Sequence, residues 1–150
     1  MLAALAPYQE RLRRLKVDSV GQGYYFAKHL EDHGYRSRVQ YVNVGERATD
    51  PERYSNLKAE LYWALRLRAQ AGALAGLTNQ KAVSQLAGIR YRHNARGQVV
   101  IESKGEARTR GVKSPDWAEA VMLVYATVPH EKKLGAFAAG GGAKGWSPAA

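Results

Sequence analysis

The sequence contains no cysteine among its 150 residues, which excludes disulfide bonds and thiolate chemistry and permits a reducing compartment. It also lacks a long apolar run, because no stretch approaches the roughly 20 residues of a membrane-spanning helix. The apolar start holds too few residues before Pro7 for the core of a signal peptide. With 45% hydrophobic and 24% charged residues, the chain is predicted to be one globular domain without a membrane partner.

Complete nucleotide-binding motifs are missing as well. No stretch matches the G-x-x-x-x-G-K-[ST] phosphate loop. Gly21 and Gly23 resemble the start of a dinucleotide-binding turn, but Phe26 stands where the third glycine belongs. The two glycines therefore predict a tight strand-to-helix turn, and NAD binding is disfavoured.

Positive charge is what the sequence has in excess. It carries 23 Lys and Arg against 13 Asp and Glu, a net charge of +10, with a pI near 10.0. Such a balance favours a polyanionic partner, most often nucleic acid, with an anionic membrane surface as the lesser alternative.

Hydrophobic periodicity and turn residues predict an α/β chain. The predicted elements are the end of a basic amphipathic helix at 8–15, a strand at 16–21, helix 22–35, strand 38–44, loop 46–56, helices 57–72 and 79–89, a hairpin at 90–103 turning at 94–97, a basic loop at 104–113 and helix 115–128. The first strand, helix and strand have the size of a βαβ unit. Residues 129–150 are predicted to form a flexible, Gly/Ala-rich basic tail.

Three acids stand out against their surroundings. Asp18 lies inside a short apolar strand, where an acid is disfavoured; it is either a solvent-facing residue or part of a site at the sheet edge. Asp116 and Glu119 share one face at the start of an apolar helix. Either the pair merely starts the helix, with Asp116 or Ser114 as the cap and Glu119 closing a capping box, or it holds a metal ion. A carboxylate on a mostly apolar helix needs a partner, and a metal ion suits a pair of acids.

A run of bases precedes those two acids, formed by Lys104, Arg108, Arg110 and Lys113. Such a run is either a solvated surface or a set of phosphate contacts. Acids that hold metal next to bases that hold phosphate form a pattern typical of phosphodiesterases.

Three stretches, taken in order and spacing, resemble the nuclease domain of phage terminase large subunits. They are "VDSVGQGYYFAKHLEDHGY", "YSNLKAELYWALR" and "LAGIRYRHNARGQVVIESKGEARTRGVKSPDWAEAVMLVYA". Within them, N-x-[KR]-A-E at 56–60 and the segment from Ile101 to Ala120 are the most specific parts. The last helix also resembles that of RuvC-type resolvases, which opens with two acids.

The resemblance implies a ribonuclease H-like fold, a mixed sheet flanked by helices, over residues 1–128. It implies that Asp18, Asp116 and Glu119 bind two divalent cations, Mg²⁺ or Mn²⁺, and that the bases Lys104, Arg108, Arg110 and Lys113 hold the DNA backbone. Asn56, Lys58 and Glu60 are expected to be structural. The family's first acid-bearing strand and its ATPase domain are not among the residues of this chain, so the domain is expected to be truncated at its N-terminus.

The function implied is metal-dependent cleavage of double-stranded DNA during genome packaging in the bacterial host cytoplasm, with portal protein and the small terminase subunit as further partners. The alternative is a catalytically inactive DNA-binding or packaging-interaction remnant of such a protein. A basic binding protein unrelated to terminases is a third, more distant reading.

Overall fold

The computed structural model describes residues 2–126, and the tail predicted at 129–150 lies outside them. The helices and strands within this range are, in order, α1 Leu2–Leu5, β1 Leu15–Asp18, α2 Gln22–Leu30, β2 Val39–Val42, α3 Leu57–Gln70, α4 Gln80–Ala87, β3 Tyr91–His93, β4 Val99–Ile101, α5 Lys104–Thr109 and α6 Asp116–Val124. A short 3-10 helix, Ala6–Tyr8, follows α1, and a π-helical segment, Glu31–Tyr35, continues α2. No helix in the described part of the chain is long and apolar enough to cross a membrane.

The predicted strand–helix–strand unit is present. Strands β1 and β2 pair in parallel, with Asp18 opposite Val42, and α2 supplies the crossover that parallel neighbours require. Gly21 adopts a φ of 63° immediately before α2, a conformation that glycine reaches without strain, as expected for a tight turn. At the far end the helical path breaks at Gly34, whose φ is 89°.

The predicted hairpin is also present. Strands β3 and β4 pair antiparallel, and their turn is closed by the side chain of Asn94, whose Oδ1 accepts from the backbone N–H groups of Arg96 and Gln98. The described strands thus include a parallel and an antiparallel pair, organised as two separate two-stranded sheets.

Two predicted elements are wrong. Residues 8–15 do not end a helix; Leu15 instead begins β1, because its backbone N–H donates to the carbonyl of Arg38 across the sheet, and this non-local pairing overrides local helix propensity. Residues 104–113 are not wholly loop, since α5 occupies the first six of them. A capping box between Ser103 and Glu106 starts that helix, and the nearby glycines, which disfavour helix, made the segment look like a loop.

The β1–β2 sheet lies between two apolar layers. Val17 packs with Ala27 and Leu30 of α2 on one face, whereas Val42 on the other face belongs to the main core. That core joins α3 and α6 through Leu57, Leu61, Tyr62, Leu65, Ala118, Met122 and Ala126. Helices therefore flank this sheet on both sides, and α6 is held against the face that contains Val42.

Candidate functional site: an acidic edge of the parallel sheet

Of the three acids, Glu119 has the most firmly held side chain, because two lysines form ion pairs with it. Its Oε1 lies 2.8 Å from Nζ of Lys58 in α3, and its Oε2 lies 3.1 Å from Nζ of Lys104 in α5. Only 19% of the Glu119 side chain is exposed. A largely desolvated carboxylate is costly unless it is paired, so these two ammonium groups explain how an apolar helix retains an acid.

Asp116 has a different environment. It is exposed at the first position of α6, and its Oδ1 accepts from the Ser114 hydroxyl at 2.5 Å. Neither residue caps α6: Oε1 of Gln85 accepts from the backbone N–H groups of Trp117 and Ala118, at 2.9 and 3.1 Å. The expected cap is therefore wrong, because a side chain from α4 already occupies the free end of the helix.

Asp18 ends β1. Its Oδ1 accepts from the backbone N–H of Val20 at 3.1 Å, which fixes the carboxylate at the start of the β1–α2 turn. Gly23 lies directly against this point, since an added Cβ would stand 1.9 Å from the Asp18 carbonyl oxygen. Glycine is thus required there by close backbone approach.

The direction of α6 relates Glu119 to Asp18. Register partners of neighbouring strands point to the same face of a sheet, so Asp18 lies on the face of its partner Val42, where α6 packs. Lys16, two residues earlier on that face, donates to the carbonyl oxygens of Val124 and Ala126 at 3.1 and 2.6 Å. The C-terminal end of α6 therefore lies near the start of β1, and its N-terminal half extends toward the end that carries Asp18.

Lys58 ties α3 to the same edge. Its backbone N–H donates to the carbonyl of Val44, two residues beyond β2, at 2.9 Å, while its side chain reaches Glu119. The carboxyl end of a parallel sheet is where α/β folds build their sites. We call Asp18, Lys58, Lys104 and Glu119 the acidic edge.

Tyr62 lines this edge from beneath. It is buried, and its hydroxyl has no hydrogen-bond partner among the described residues. Burial first, and the charge of Glu119 second, raise the pKa of Tyr62 well above its usual range. Nζ of Lys58 lies 5.9 Å from the centroid of its ring, so the tyrosine ring packs beneath the Lys58–Glu119 ion pair.

The four predicted DNA-contacting bases do not form one uniform set. Lys104 is bound to Glu119, and Arg110 forms a two-pronged ion pair with Glu102, with Nε–Oε1 at 2.8 Å and Nη2–Oε2 at 2.5 Å. That guanidinium lowers the pKa of Glu102. Arg108 and Lys113 are exposed. Two of the bases therefore hold acids in place, and two face solvent.

A groove of about 280 Å³ opens beside the acidic edge, between α4, β4 and α5. Its polar lining consists mainly of Lys58, Gln85, Arg90, Glu102, Lys104 and Arg110. Three of the four bases in this lining are already paired with acids, Lys58 and Lys104 with Glu119 and Arg110 with Glu102, and the rest of the groove is mainly apolar.

Sequence reasoning missed the roles of Lys58 and Gln85. The N-x-[KR]-A-E motif drew attention to residues 56–60, and its other polar members do have structural roles: Asn56 caps α3 by accepting from Ala59 N–H at 2.9 Å, and Glu60 accepts from the backbone of Thr49 at 2.6 Å. Lys58 instead pairs with a residue of the candidate site. No local signal marks Gln85.

Residues 2–126 contain no group of three or more His, Asp or Glu side chains that could hold a metal ion together. The structure thus brings Glu119 together with two lysines, and does not gather Asp18, Asp116 and Glu119 into a single cluster.

Among known proteins, the chain is similar to solved structures of one kind of domain. No protein-family model matches the sequence, and no curated protein matches it. Among solved structures, the nuclease domain of the large terminase subunit of bacterial virus Sf6 matches with a TM-score of 0.66 at 17% identity, over 85% of this chain and 70% of that one. A point mutant of that domain with manganese matches with a TM-score of 0.68 at 16% identity, over 85% and 71%.

The same mutant with calcium gives a TM-score of 0.68 at 16% identity, over 85% of this chain and 70% of that one. At such low identity the likeness concerns the fold. It confirms the predicted class: the chain has the ribonuclease H-like fold of the terminase nuclease domain.

Proposed function

We propose that the chain is a metal-dependent DNA endonuclease domain of the phage terminase type, which cleaves double-stranded DNA by two-metal phosphodiester hydrolysis during genome packaging. The observation that carries the proposal is the acidic edge: Asp18 and Glu119 belong to elements that meet at the carboxyl end of the parallel sheet, within a fold shared with a terminase nuclease domain. Solved structures of that domain contain manganese or calcium.

The proposed metal ligands are Asp18, Asp116 and Glu119. Carboxylate oxygens are the ligands that Mg²⁺ and Mn²⁺ prefer, so the donor chemistry of the three acids fits a divalent cation. The ammonium groups of Lys58 and Lys104 pair with the two oxygens of Glu119, and a bound cation would have to displace at least one of them. Bound there, the ions would supply an activated water and charge neutralisation at the scissile phosphate.

The chain's own residues would do the remaining work. Lys58 holds the Glu119 carboxylate in one orientation, and Tyr62 excludes water from beneath it. Arg108 and Lys113 are exposed and follow the groove-lining residues Ala107 and Val112 in the chain, and they would contact backbone phosphates without reading sequence. The net charge of +10 supports DNA as the partner. By the same proposal the domain acts in the bacterial host cytoplasm, together with portal protein and the small terminase subunit.

Plasmid cleavage tests this function. The full chain, purified free of contaminating nuclease, should nick or cut supercoiled plasmid in Mn²⁺, and both Asp18→Ala and Glu119→Gln should abolish the activity. Glu52→Gln serves as the matched control, because Glu52 is exposed in the 46–56 loop and outside the acidic edge. Intact plasmid at high Mn²⁺ with the wild-type chain would rule out catalysis.

An inactive DNA-binding or packaging-interaction protein is the second candidate. The observation that favours it is the lack of a three-residue ligand group within residues 2–126, together with the two ammonium groups that satisfy Glu119. Calorimetric titration with Mn²⁺ separates the candidates. Saturable binding that disappears in Glu119→Gln supports the nuclease, whereas salt-sensitive DNA binding without any metal binding supports the inactive protein.

A further inference from the structure

The opposite end of the parallel sheet is rich in arginine. Arg11, Arg13 and Arg14 precede β1, and Arg36 and Arg38 precede β2. Because the two strands are parallel and Leu15 is paired with Val39, the segments that lead into them meet at the same end of the sheet. We call these five residues the arginine edge.

Backbone and side-chain contacts hold this edge together. The carbonyl of Arg38 accepts from Leu15 N–H at 2.8 Å, and Nη1 of Arg38 donates to the carbonyl of Gln9 at 2.8 Å. The segment before β1 is therefore fixed beside the segment before β2. Arg11, Arg13 and Arg36 are exposed on the resulting surface.

Nearby acids offset part of this charge. Within residues 9–16 and 36–38 the only acid is Glu10. Glu31, after α2, is paired with Lys28 at 3.1 Å, and Arg36 also helps to lower its pKa; Asp32 is exposed beside it. The exposed guanidinium groups of Arg11 and Arg13 repel one another, and a bound polyanion would relieve that repulsion.

Arginine also suits one kind of polyanion in particular. Its planar guanidinium matches phosphate with two parallel hydrogen bonds, and phosphate contacts position a protein on DNA without reading its sequence. The ends of β1, at Leu15 and Asp18, are about 10 Å apart at roughly 3.3 Å per residue. The arginine edge therefore reaches different phosphates from those near Asp18.

We propose that the arginine edge is a second contact surface for the backbone of double-stranded DNA, separate from the acidic edge. Only the choice of DNA as the polyanion rests on the proposed function. The surface anchors the duplex by charge, and it does so whether or not the acidic edge cleaves.

Duplex binding by the full chain tests the proposal. Fluorescence anisotropy with a labelled duplex, in EDTA so that no cleavage occurs, gives Kd as a function of salt. The double variant Arg13→Gln/Arg36→Gln should lower the slope of log K against log salt by about 1.8, since each phosphate contact contributes about 0.9. If binding at 1 M salt is unaffected, that slope corresponds to a loss on the order of 60-fold at 0.1 M salt.

The matched control is Arg47→Gln/Arg96→Gln, which removes the same charge from two exposed positions elsewhere on the surface. The control should keep the wild-type slope, and circular dichroism should show that both variants remain folded. Equal losses in the two variants, or no loss in either, would overturn the proposal. The proposal would also be overturned if Arg13→Gln/Arg36→Gln weakened the binding of a polyglutamate peptide, relative to the control variant, but not the binding of the duplex. Because the assay needs no metal, its failure is distinct from a failure to cleave plasmid.

Discussion

Replacing Gln85 with methionine should destabilise the protein, because it removes the acceptor that caps α6. Oε1 of Gln85 receives two backbone N–H groups, those of Trp117 and Ala118, at 2.9 and 3.1 Å. The first N–H groups of any helix lack intrahelical acceptors, and here Ser114 and Asp116 bond to each other. Methionine keeps the length and volume of the side chain while it removes the hydrogen-bond acceptor.

The magnitude follows from the two lost hydrogen bonds. Loss of an N-terminal cap costs about 0.5–2 kcal/mol, and the net worth of each intramolecular hydrogen bond is about 0.5–1.5 kcal/mol. We expect the free energy of unfolding to fall by about 1–2 kcal/mol. For a chain of this size the midpoint of thermal unfolding should fall by roughly 2–8 °C.

Urea denaturation followed by circular dichroism measures the change, with Gln85→Glu and Asp116→Ala as companions. Glutamate retains an acceptor and places negative charge at the positive end of the helix dipole, so Gln85→Glu should be at least as stable as wild type. Asp116→Ala should cost less than Gln85→Met, since Asp116 caps nothing. The reverse order of these two losses would refute the capping role of Gln85 and restore Asp116 as the cap.

Three further predictions concern single residues. Gly23→Ala should lower the free energy of unfolding by more than about 2 kcal/mol, because the new Cβ would meet backbone 1.9 Å away, whereas Gly105→Ala in α5 should be neutral or stabilising in urea melts. Tyr62→Phe should leave stability at pH 7 unchanged or slightly higher, because the lost hydroxyl has no described partner. In the wild type the raised pKa of Tyr62 should make stability fall as pH rises above about 10, where the unfolded tyrosine ionises. A phenylalanine variant whose stability falls just as steeply above that pH would contradict this. The pKa of Glu102 is lowered, first by its hydrogen bond to Arg110, so the pair stabilises the fold above the ordinary glutamate pKa, and this stabilisation is lost as pH falls through the folded value. Arg110→Gln should therefore make stability fall less steeply between about pH 5 and 3. A fall as steep as that of the wild type would argue against the pair.

Local patterns were sufficient for most elements. The β1–α2–β2 unit, α3 after its Asn56 cap and the β3–β4 hairpin all follow from periodicity and turn residues within a few positions of each other. Prediction failed where the decision was not local. Leu15 becomes a strand residue only because it pairs with the segment at Arg38.

The candidate acids could be selected from sequence because each is out of place: Asp18 within an apolar strand and Glu119 within an apolar helix. The side chains that surround them could not be predicted from sequence. Lys58 is 61 residues from Glu119 along the chain, and Gln85 is 32 residues from Trp117. No spacing rule relates positions so far apart, and the assignment of a cap to Ser114 or Asp116 was wrong for that reason.

The sequence by itself determined the order of the elements, the excess of positive charge and which acids lie in apolar surroundings, because these depend on residue type and short-range spacing. Only the tertiary structure decided that Lys58 and Lys104 hold Glu119, that Gln85 caps α6 and that the arginines before β1 and β2 share one end of the sheet. Those contacts arise when α3, α4 and α6 pack around the core that contains Val42, which brings together side chains that local sequence leaves unrelated.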